Sequence, residues 1–327
     1  MEKLRYIISD STNPYQNIAL EEYLLTHTEP EECILYLWQN RKTVVIGYNQ
    51  NAWKECRVEA LEADGGFLAR RLSGGGAVFH DLGNLNFTFL TRKKNYSVER
   101  QTEVILRAVR SFGIGAVRTG RNDLAVDGGK FSGNAFYQTG DFCYHHGTIL
   151  ICADKNEMSR YLNVSREKLQ SKGVDSVKSR VVNLTQYEPE LTVEQMQTAL
   201  LEAFAEVYEG ILTPIMPEEL PQEELREGEQ RFSSWEWLYG RKIPFNFEVM
   251  RRFDWGEALL RLDISEGMIR NAAIWTDALD TELPRLAEEA LKGCRYRDAE
   301  IGRALAGIGR NAEQEKMLAD IRECLKQ

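Results

Sequence analysis

The chain has 327 residues, of which 43% are hydrophobic and 28% charged, and its formal net charge is −9 at pH 7. This length allows one large domain or two, with a core that needs neither disulfides nor metals to be stable. The negative charge argues against a general nucleic-acid binder, which carries a basic face, and no segment approaches the roughly 20 apolar residues of a membrane-spanning helix.

The cysteines indicate a reducing compartment. Six of them lie at positions 33, 56, 143, 152, 294 and 324, without a CxxC pair or a compact framework. In a chain of this length that pattern is typical of free thiols. The first residues also lack the basic and then apolar pattern of a signal peptide. We therefore expect a cytoplasmic protein.

The first 210 residues predict a mixture of strands and helices. A helix begins at Asn13-Pro14, and a second one has Ser97 as its cap and Gly113 at its end. Asp127-Gly128-Gly129 is typical of a hairpin turn. Strands are predicted at 33–40, 43–49, 67–72, 77–80, 85–91, 123–138 and 144–153, and later helices at 155–162 and 193–208.

The pattern changes towards the C-terminus. Residues 213–231 contain three prolines and six glutamates with little periodicity, which predicts a mobile acidic surface segment. From about Phe245, three short strands precede three helices, which indicates a small separate α+β unit. We expect a domain at 1–244 and a second at 245–327.

The stretch RRLSGGGAVFH, residues 70–80, combines two arginines with three glycines. By itself a triple glycine predicts a tight turn. The GK[ST] end of a P-loop is missing, and AVFH continues as a strand. In an extended chain Arg71 shares a face with Ser73 at the mouth of the turn, whereas Arg70 lies among leucines. Arg71 with bare backbone N–H groups would form a cradle for an anion.

The stretch GRNDLAVDGGKFSGNA, residues 120–135, places Lys130 after a turn and before small residues. A lone lysine there is most often solvated. The small residues that follow allow something bulky to lie against the strand, where a lysine would neutralise an anion. Asp123 either binds Mg²⁺ beside phosphates or caps the turn.

Histidine and cysteine chemistry is weakly supported. His145 and His146 are adjacent on a predicted strand, so they point to opposite faces and do not chelate one metal. One imidazole lining a pocket is the better interpretation. Cys143 and Cys152 have no evident base beside them, and we expect inert thiols.

Taken together, these motifs resemble the lipoate–protein ligases of the bacterial A type, within the biotin/lipoate ligase and lipoyl transferase superfamily. The resemblance spans nearly the whole chain. It rests on the stretches at 13–25, 70–89, 120–126, 128–136, 145–154, 171–184 and 294–308.

The resemblance implies an α+β fold like that of class II aminoacyl-tRNA synthetases and biotin ligases, with mixed sheets, flanking helices and a small C-terminal accessory domain. It implies that ATP and Mg²⁺ convert lipoate or octanoate to an acyl-adenylate. A lysine of an acceptor lipoyl domain then displaces AMP. The implied acceptors are 2-oxoacid dehydrogenase E2 subunits and glycine cleavage H protein, and we expect a monomer.

The family's site residues carry over to matching positions of this sequence. Lys130 is the implied catalytic residue, and Asp123 is a candidate Mg²⁺ ligand. The implied ATP or adenylate contacts are Arg71, Gly76, Ala77, Val78, Phe79, Asn84, Asn122, Asp123 and Lys130. The implied lipoate contacts are Ile18, Leu20, Glu21, Arg71, Gly76, His80, Lys130 and His146. The loop that closes over the adenylate is expected at 171–180 and includes Lys172, Gly173, Ser179 and Arg180.

Two alternatives stay open. One is an ATP-independent octanoyl or lipoyl transferase of the same fold, which would use a cysteine nucleophile. The other is a non-catalytic lipoyl-binding scaffold. The C-terminal unit and the lack of an activated cysteine argue against the first, and the complete motif set argues against the second.

Overall fold

The computed structural model describes residues 3–120, 122–163, 181–240 and 243–326. The chain divides into two compact units. The first comprises Met1–Val45, Cys56–Ala69 and Val78–Ser234, and the second Ile46–Glu55, Arg70–Ala77 and Trp235–Gln327. The predicted limits at 1–244 and 245–327 stay a prediction.

Groups of strands are separated by helices along the chain. The strands are β1 (Lys3–Ile8), β2 (Glu32–Trp38), β3 (Thr43–Ile46), β4 (Phe67–Arg70), β5 (Val78–His80), β6 (Asn84–Arg92), β7 (Val117–Thr119), β8 (Asp123–Val126), β9 (Gly129–Thr139), β10 (Phe142–Leu150), β11 (Leu212–Pro214), β12 (Phe247–Phe253), β13 (Gly256–Ser265) and β14 (Met268–Thr276). The helices are α1 (Pro14–His27), α2 (Ala52–Glu55), α3 (Val58–Ala63), α4 (Val98–Arg110), α5 (Lys155–Tyr161), α6 (Val193–Tyr208), α7 (Gln222–Ser233), α8 (Trp235–Tyr239), α9 (Leu283–Leu291), α10 (Asp298–Leu305) and α11 (Ala312–Cys324).

The first unit is built on a large mixed sheet with the strand order β11-β1-β2-β6-β10-β9-β8-β7. Strand β1 pairs in parallel with β2 and β11, and the other neighbours are antiparallel. A second sheet has the order β4-β3-β5. The predicted α+β class with mixed sheets and flanking helices is confirmed.

Strand β6 shows why the large sheet has two different faces. Leu85, Phe87 and Phe89 alternate along it with polar residues and point into the main hydrophobic core. Helices α4 and α6 cover that face, and their apolar residues belong to the same core. The predicted cap of α4 is present, because Ser97 accepts a hydrogen bond from the Arg100 backbone N–H. The opposite face carries the polar residues described below.

The second unit contains the antiparallel sheet β12-β13-β14. Helices α9, α10 and α11 share one hydrophobic core with β13 and β14. The expected order of strands and then helices is therefore confirmed for these residues. The short segments 46–55 and 70–77 belong to the same unit, which the sequence did not predict.

The acidic stretch at 213–231 has more regular structure than the sequence predicts. It contains the end of β11, a 3₁₀ turn at Pro217–Glu219 and most of α7. Helix α7 is held against α1 by polar contacts: Glu229 accepts hydrogen bonds from Asn13 and Gln16, and Arg231 pairs with Glu22. The high glutamate content concealed these pairings, whose partners lie about 210 residues earlier.

No helix in the described part of the chain is long and apolar enough to cross a membrane.

Candidate active site

The polar face of the large sheet collects the candidate side chains of the first unit. Asn84, Asn86 and Thr88 alternate with the core residues of β6, so they share this face. The register places His146 of β10 opposite Thr88 and Thr148 opposite Asn86. Next to them in the sheet, the Gly133 backbone N–H of β9 donates to Thr148 Oγ1 at 3.3 Å. One row of polar groups therefore crosses adjacent strands.

Lys130 joins this face because of an irregularity in the β8–β9 pairing. In a regular strand, residues 130 and 133 would point to opposite faces. The register shifts between Leu124 and Ala125, where one extra residue of β9 is accommodated. Lys130 Nζ consequently lies 2.7 Å from Asp123 Oδ1, and a Cβ added at Gly133 would lie 2.8 Å from Lys130 Nζ. The bulky group expected against the small residues is the Lys130 side chain itself.

The predicted turn before Lys130 is present. Asp127 and Gly128 both have positive φ, 49° and 77°, as the two central residues of a type I′ hairpin require. Glycine and aspartate tolerate that conformation best. The predicted hairpin is therefore confirmed.

Residues 181–182 are tied to the Lys130 backbone. Val181 forms a parallel bridge with Lys130, and the Val182 N–H donates to the Lys130 carbonyl at 2.9 Å. The expected closing loop precedes them directly in the chain. Its predicted residues Lys172, Gly173, Ser179 and Arg180 lie outside the described residues.

Asn122 is held by Asn134 on the neighbouring strand. The Asn134 backbone N–H and Nδ2 both donate to the Asn122 carbonyl, at 2.8 and 3.0 Å. Asn122 Nδ2 in turn donates to the Asn134 carbonyl at 3.2 Å. These three bonds hold the turn that leads into Asp123.

Glu21 of α1 is a fully buried carboxylate on the polar face. Its Oε1 accepts a hydrogen bond from Thr88 Oγ1 at 2.7 Å and lies 2.8 Å from His146 Nδ1. Trp38 Nε1 donates to the same Thr88 hydroxyl at 3.1 Å. Two of the residues expected near lipoate, Glu21 and His146, are thus brought together.

The other candidates of the first unit are separated by their positions on α1 and β5. Ile18 is fully buried, whereas Leu20 lines a different cleft of about 450 Å³ beside β1 and α7. Val78, Phe79 and His80 form β5 and pair with β3. His80 Nδ1 lies 3.2 Å from Asn40 Nδ2.

In the second unit, Arg71 caps the glycine turn. Its guanidinium donates to Ser73 Oγ at 3.1 Å and to the carbonyls of Gly74 and Gly76 at 2.7 and 2.8 Å. The predicted shared side of Arg71 and Ser73 is therefore confirmed. Ala77 follows directly and is half-buried.

The three glycines have different surroundings. The Gly75 N–H donates to the Ala278 carbonyl at 3.0 Å, and a Cβ on Gly74 would collide with the carbonyls of Ala278 and Leu279. Gly76 is exposed, and a Cβ added there would meet nothing within 4 Å. Close packing therefore explains why residue 74 is a glycine, but it does not explain the glycine at position 76.

Arg70 has a structural role in this unit. Its guanidinium donates to five backbone carbonyls, those of Gly47, Tyr48, Gln50, Trp237 and Leu238, at 2.6 to 3.2 Å. The sequence placed it among leucines and missed these contacts, because their acceptors lie 20 to 168 residues away.

Sequence reasoning did not select Asn86, Thr88 or Thr148. A usable signal was present, since polar and apolar residues alternate strictly from Asn84 to Phe89. Extending the candidate Asn84 by steps of two residues would have found Asn86 and Thr88.

All six cysteines are free, as predicted. Burial raises the pKa of the Cys143 thiol to about 11. Burial, followed by the nearby Asp81 carboxylate, raises the pKa of Cys152. Neither thiol is activated as a nucleophile.

The described residues contain no group of three or more His, Cys, Asp or Glu side chains that could hold a metal ion. Within that part of the chain, protein groups alone do not form a metal site. Mg²⁺ commonly uses one or two carboxylates together with substrate phosphates. The half-exposed Asp123 fits that second arrangement.

Comparison with known proteins now decides the family. Residues 13–205 match the model of the lipoyl protein ligase A/B catalytic domain, and residues 242–325 match that of the bacterial lipoate protein ligase C-terminus. The chain belongs to the lipoate–protein ligase family. It is a ligase enzyme, and the resemblance noted from the sequence is confirmed.

Two further comparisons support the assignment to this family. A protein of Psychrobacter cryohalolentis named lipoate-protein ligase A is 40% identical, with 99% of this chain and 98% of that protein covered. The structure of Plasmodium falciparum LipL1 in complex with lipoate is 30% identical, with a TM-score of 0.83, and covers 99% of this chain and 98% of that one.

A lipoate–protein ligase A structure with bound ATP is 25% identical to this chain, with a TM-score of 0.62. It covers 72% of this chain and 98% of that one.

Proposed function

We propose that the enzyme uses ATP to activate lipoate, or octanoate, as an acyl-adenylate and then transfers the acyl group to a lysine of an acceptor lipoyl domain. The acceptors we propose are E2 subunits of 2-oxoacid dehydrogenases and the glycine cleavage H protein. The observation that carries the proposal is the position of Lys130, beside Asp123 and above Gly133. The lipoate and ATP complexes of related ligases support it.

The first step brings two anions together. A carboxylate oxygen of lipoate forms a bond to the α-phosphorus of ATP, the bond between that phosphorus and the β-phosphate bridging oxygen breaks, and pyrophosphate leaves. Cations must offset this charge. We assign this role to Lys130 and Arg71, with the Gly76–Phe79 backbone, Asn84 and Asn122 contacting the nucleotide.

Mg²⁺ would be held by Asp123 together with the phosphates of ATP. When bound, the ion neutralises phosphate charge. Asp123 also orients Lys130 through their ion pair, so the same carboxylate would serve both cations.

In the second step the acceptor lysine attacks the acyl carbon. Its neutral amine forms the amide bond, the acyl–phosphate oxygen bond breaks, AMP leaves, and the amine loses a proton. This attack needs no nucleophile from the enzyme. Water must be kept from the adenylate, and we assign that task to the segment 171–180, which precedes Val181 in the chain.

For the acyl chain we propose contacts with Glu21 and His146, together with Ile18 and His80; we leave out Leu20, which lines the separate cleft beside β1 and α7. The contacts that Thr88 and His146 make with Glu21 would keep those three side chains in fixed orientations. Preorganised side chains reduce the entropy lost on binding.

The transferase alternative requires a reactive cysteine. The raised pKa values of Cys143 and Cys152 disfavour their thiolates, which argues against it. The match to the ligase C-terminal domain also favours the ligase.

The deciding experiment is ATP–pyrophosphate exchange. We expect exchange only when lipoate or octanoate is added, and a bound acyl-adenylate detectable by mass spectrometry. Acyl transfer from a carrier protein without such exchange would contradict the proposal and favour the transferase.

A further inference from the structure

His145 is a buried histidine that the proposed chemistry does not use. It lies on the core side of β10, opposite to the face of His146, and is fully buried. Its ring packs against Phe136, Phe87 and Phe89, with centroids 4.9, 5.5 and 6.1 Å away. An apolar side chain at this position would cost less free energy to bury than a polar one. The imidazole therefore needs another explanation.

The two ring nitrogens face amide oxygens. Nε2 lies 2.8 Å from Asn134 Oδ1, and Nδ1 lies 3.3 Å from Gln101 Oε1. Burial lowers the pKa of His145 to about 3, so the ring is neutral at pH 7 and carries one N–H. We place that hydrogen on Nε2, which makes the shorter of the two contacts, so Nε2–H donates to Asn134 Oδ1. Rotating the Gln101 amide by 180° lets its NH₂ group donate to Nδ1.

The bond from His145 stabilises one orientation of the Asn134 amide. Because Oδ1 accepts from the imidazole, Nδ2 is left to donate to the Asn122 carbonyl at 3.0 Å. The Asn134 backbone N–H donates to the same carbonyl at 2.8 Å. If the amide were rotated, Oδ1 would face the Asn122 carbonyl and repel it. The His145 N–H and the Asn122 carbonyl thus favour the same orientation, the one in which Asn134 holds Asn122.

Asn122 directly precedes Asp123, whose carboxylate pairs with Lys130. We infer that His145 is a positioning residue: through Asn134 and Asn122 it holds Asp123 where it orients Lys130. This inference rests on the proposed function of Lys130 and Asp123. His145 itself contacts neither the substrates nor the reacting atoms.

The test compares His145→Phe with His145→Gln in the full-length enzyme. Phenylalanine retains the shape and removes the donor, whereas the glutamine amide replaces the Nε2–H donor. For His145→Phe we expect kcat of lipoate-dependent ATP–pyrophosphate exchange to fall at least about tenfold, with KM for lipoate unchanged. For His145→Gln we expect most of the kcat to be restored.

Phe87→Leu is the matched control, since it alters packing against the same ring without removing a hydrogen bond. It should lower the thermal midpoint and leave kcat unchanged. Asn134→Ala should lower kcat like His145→Phe, and the double variant should lose little more. Parent-like kcat in His145→Phe, additive losses, or no rescue by glutamine would each overturn the inference.

A second readout does not depend on activity. Hydrogen–deuterium exchange should become faster in residues 122–134 of His145→Phe than in Phe87→Leu. Unchanged exchange there would overturn the inference even in an inactive preparation. Absence of lipoate-dependent pyrophosphate exchange in the parent would contradict only the proposed function.

Discussion

Lys130 Nζ and Asp123 Oδ1 lie 2.7 Å apart, and both side chains are more than a third exposed. A pair as exposed as this contributes at most about 1 kcal/mol to stability. The pair requires a β-bulge in β9 and a residue without a side chain, Gly133, beneath the lysine. The arrangement is therefore better explained by chemistry than by stability.

The first prediction concerns Lys130. Lys130→Ala should keep its thermal midpoint within about 2 °C and lose at least about 100-fold in the rate of lipoylation, because the charge at the reacting centre is lost. The measurement is attachment of lipoate to an acceptor domain, followed by mass spectrometry. Lys316→Ala, which removes an exposed lysine paired with Asp254, serves as the control. A parent rate in Lys130→Ala would show that the role assigned to Lys130 is wrong.

The second prediction concerns Gly133. Gly133→Ala would place a methyl group within 3.0 Å of Lys130 Nζ and Cε, so the lysine must move. We expect activity to fall about tenfold or more with little change in the free energy of unfolding, because a flexible side chain can give way. Gly115→Ala is the control, since a Cβ there meets nothing within 4 Å. Equal activity in the two variants would contradict the prediction.

The third prediction concerns the buried Glu21. Glu21→Ala leaves Thr88 and His146 without their shared acceptor, which should lower the free energy of unfolding by about 1–3 kcal/mol and raise KM for lipoate. Urea unfolding and initial rates measure the two effects. Glu22→Ala removes only a surface pair with Arg231 and should cost less than about 1 kcal/mol. The prediction fails if the two neighbouring variants behave alike.

The fourth prediction separates the glycines of the 74–76 turn. Gly76→Ala meets no steric obstacle, so it should fold normally, and KM for ATP should rise because we propose that the nucleotide lies against this backbone. Gly74→Ala collides with the carbonyls of Ala278 and Leu279 and should lower the thermal midpoint. A parent-like KM for ATP in Gly76→Ala would remove Gly76 from the proposed site.

The fifth prediction concerns pH. The pKa of His145 is lowered from about 6.5 to about 3, chiefly by burial and secondarily by His146 and Arg118. Between these values the unfolded chain binds a proton that the folded protein does not. The contribution of the neutral His145 ring to the free energy of unfolding is therefore complete above about pH 6.5. It is lost as the pH falls towards 3, by up to about 1.4 kcal/mol per pH unit.

The measurement is urea unfolding of the parent and of His145→Gln from pH 7 to pH 5. The parent should lose more stability than the variant over this range, because glutamine does not titrate. Parallel curves for the two proteins would exclude a depressed pKa at His145.

The local features of the chain, its turns, helix caps and strand faces, could be predicted from the sequence. The Asp127-Gly128 turn, the Ser97 cap and the opposite faces of His145 and His146 follow from backbone preferences and from a period of two residues. These rules act between near neighbours. Each of these features was predicted from the sequence and is present in the structure.

Contacts between segments that are distant in the chain could not be predicted from the sequence. The five acceptors of Arg70 and the packing of α7 against α1 join residues that are far apart in the chain, and composition alone predicted an irregular acidic segment instead of α7. Nothing in a local pattern specifies which distant carbonyl or side chain a charged group meets.

The sequence by itself determined the family, the mixed α+β class and the residue types that bring charge and bare backbone to the candidate site, because motif spacing and hydrophobic alternation are local properties. Only the tertiary structure decided which face Lys130 occupies, since one extra residue in β9 reverses the face on which it lies. It also decided that Gly74 and Gly75 approach residue 278, whereas Gly76 stays open. Both outcomes depend on pairing between strands and loops, and pairing is a property of the folded chain.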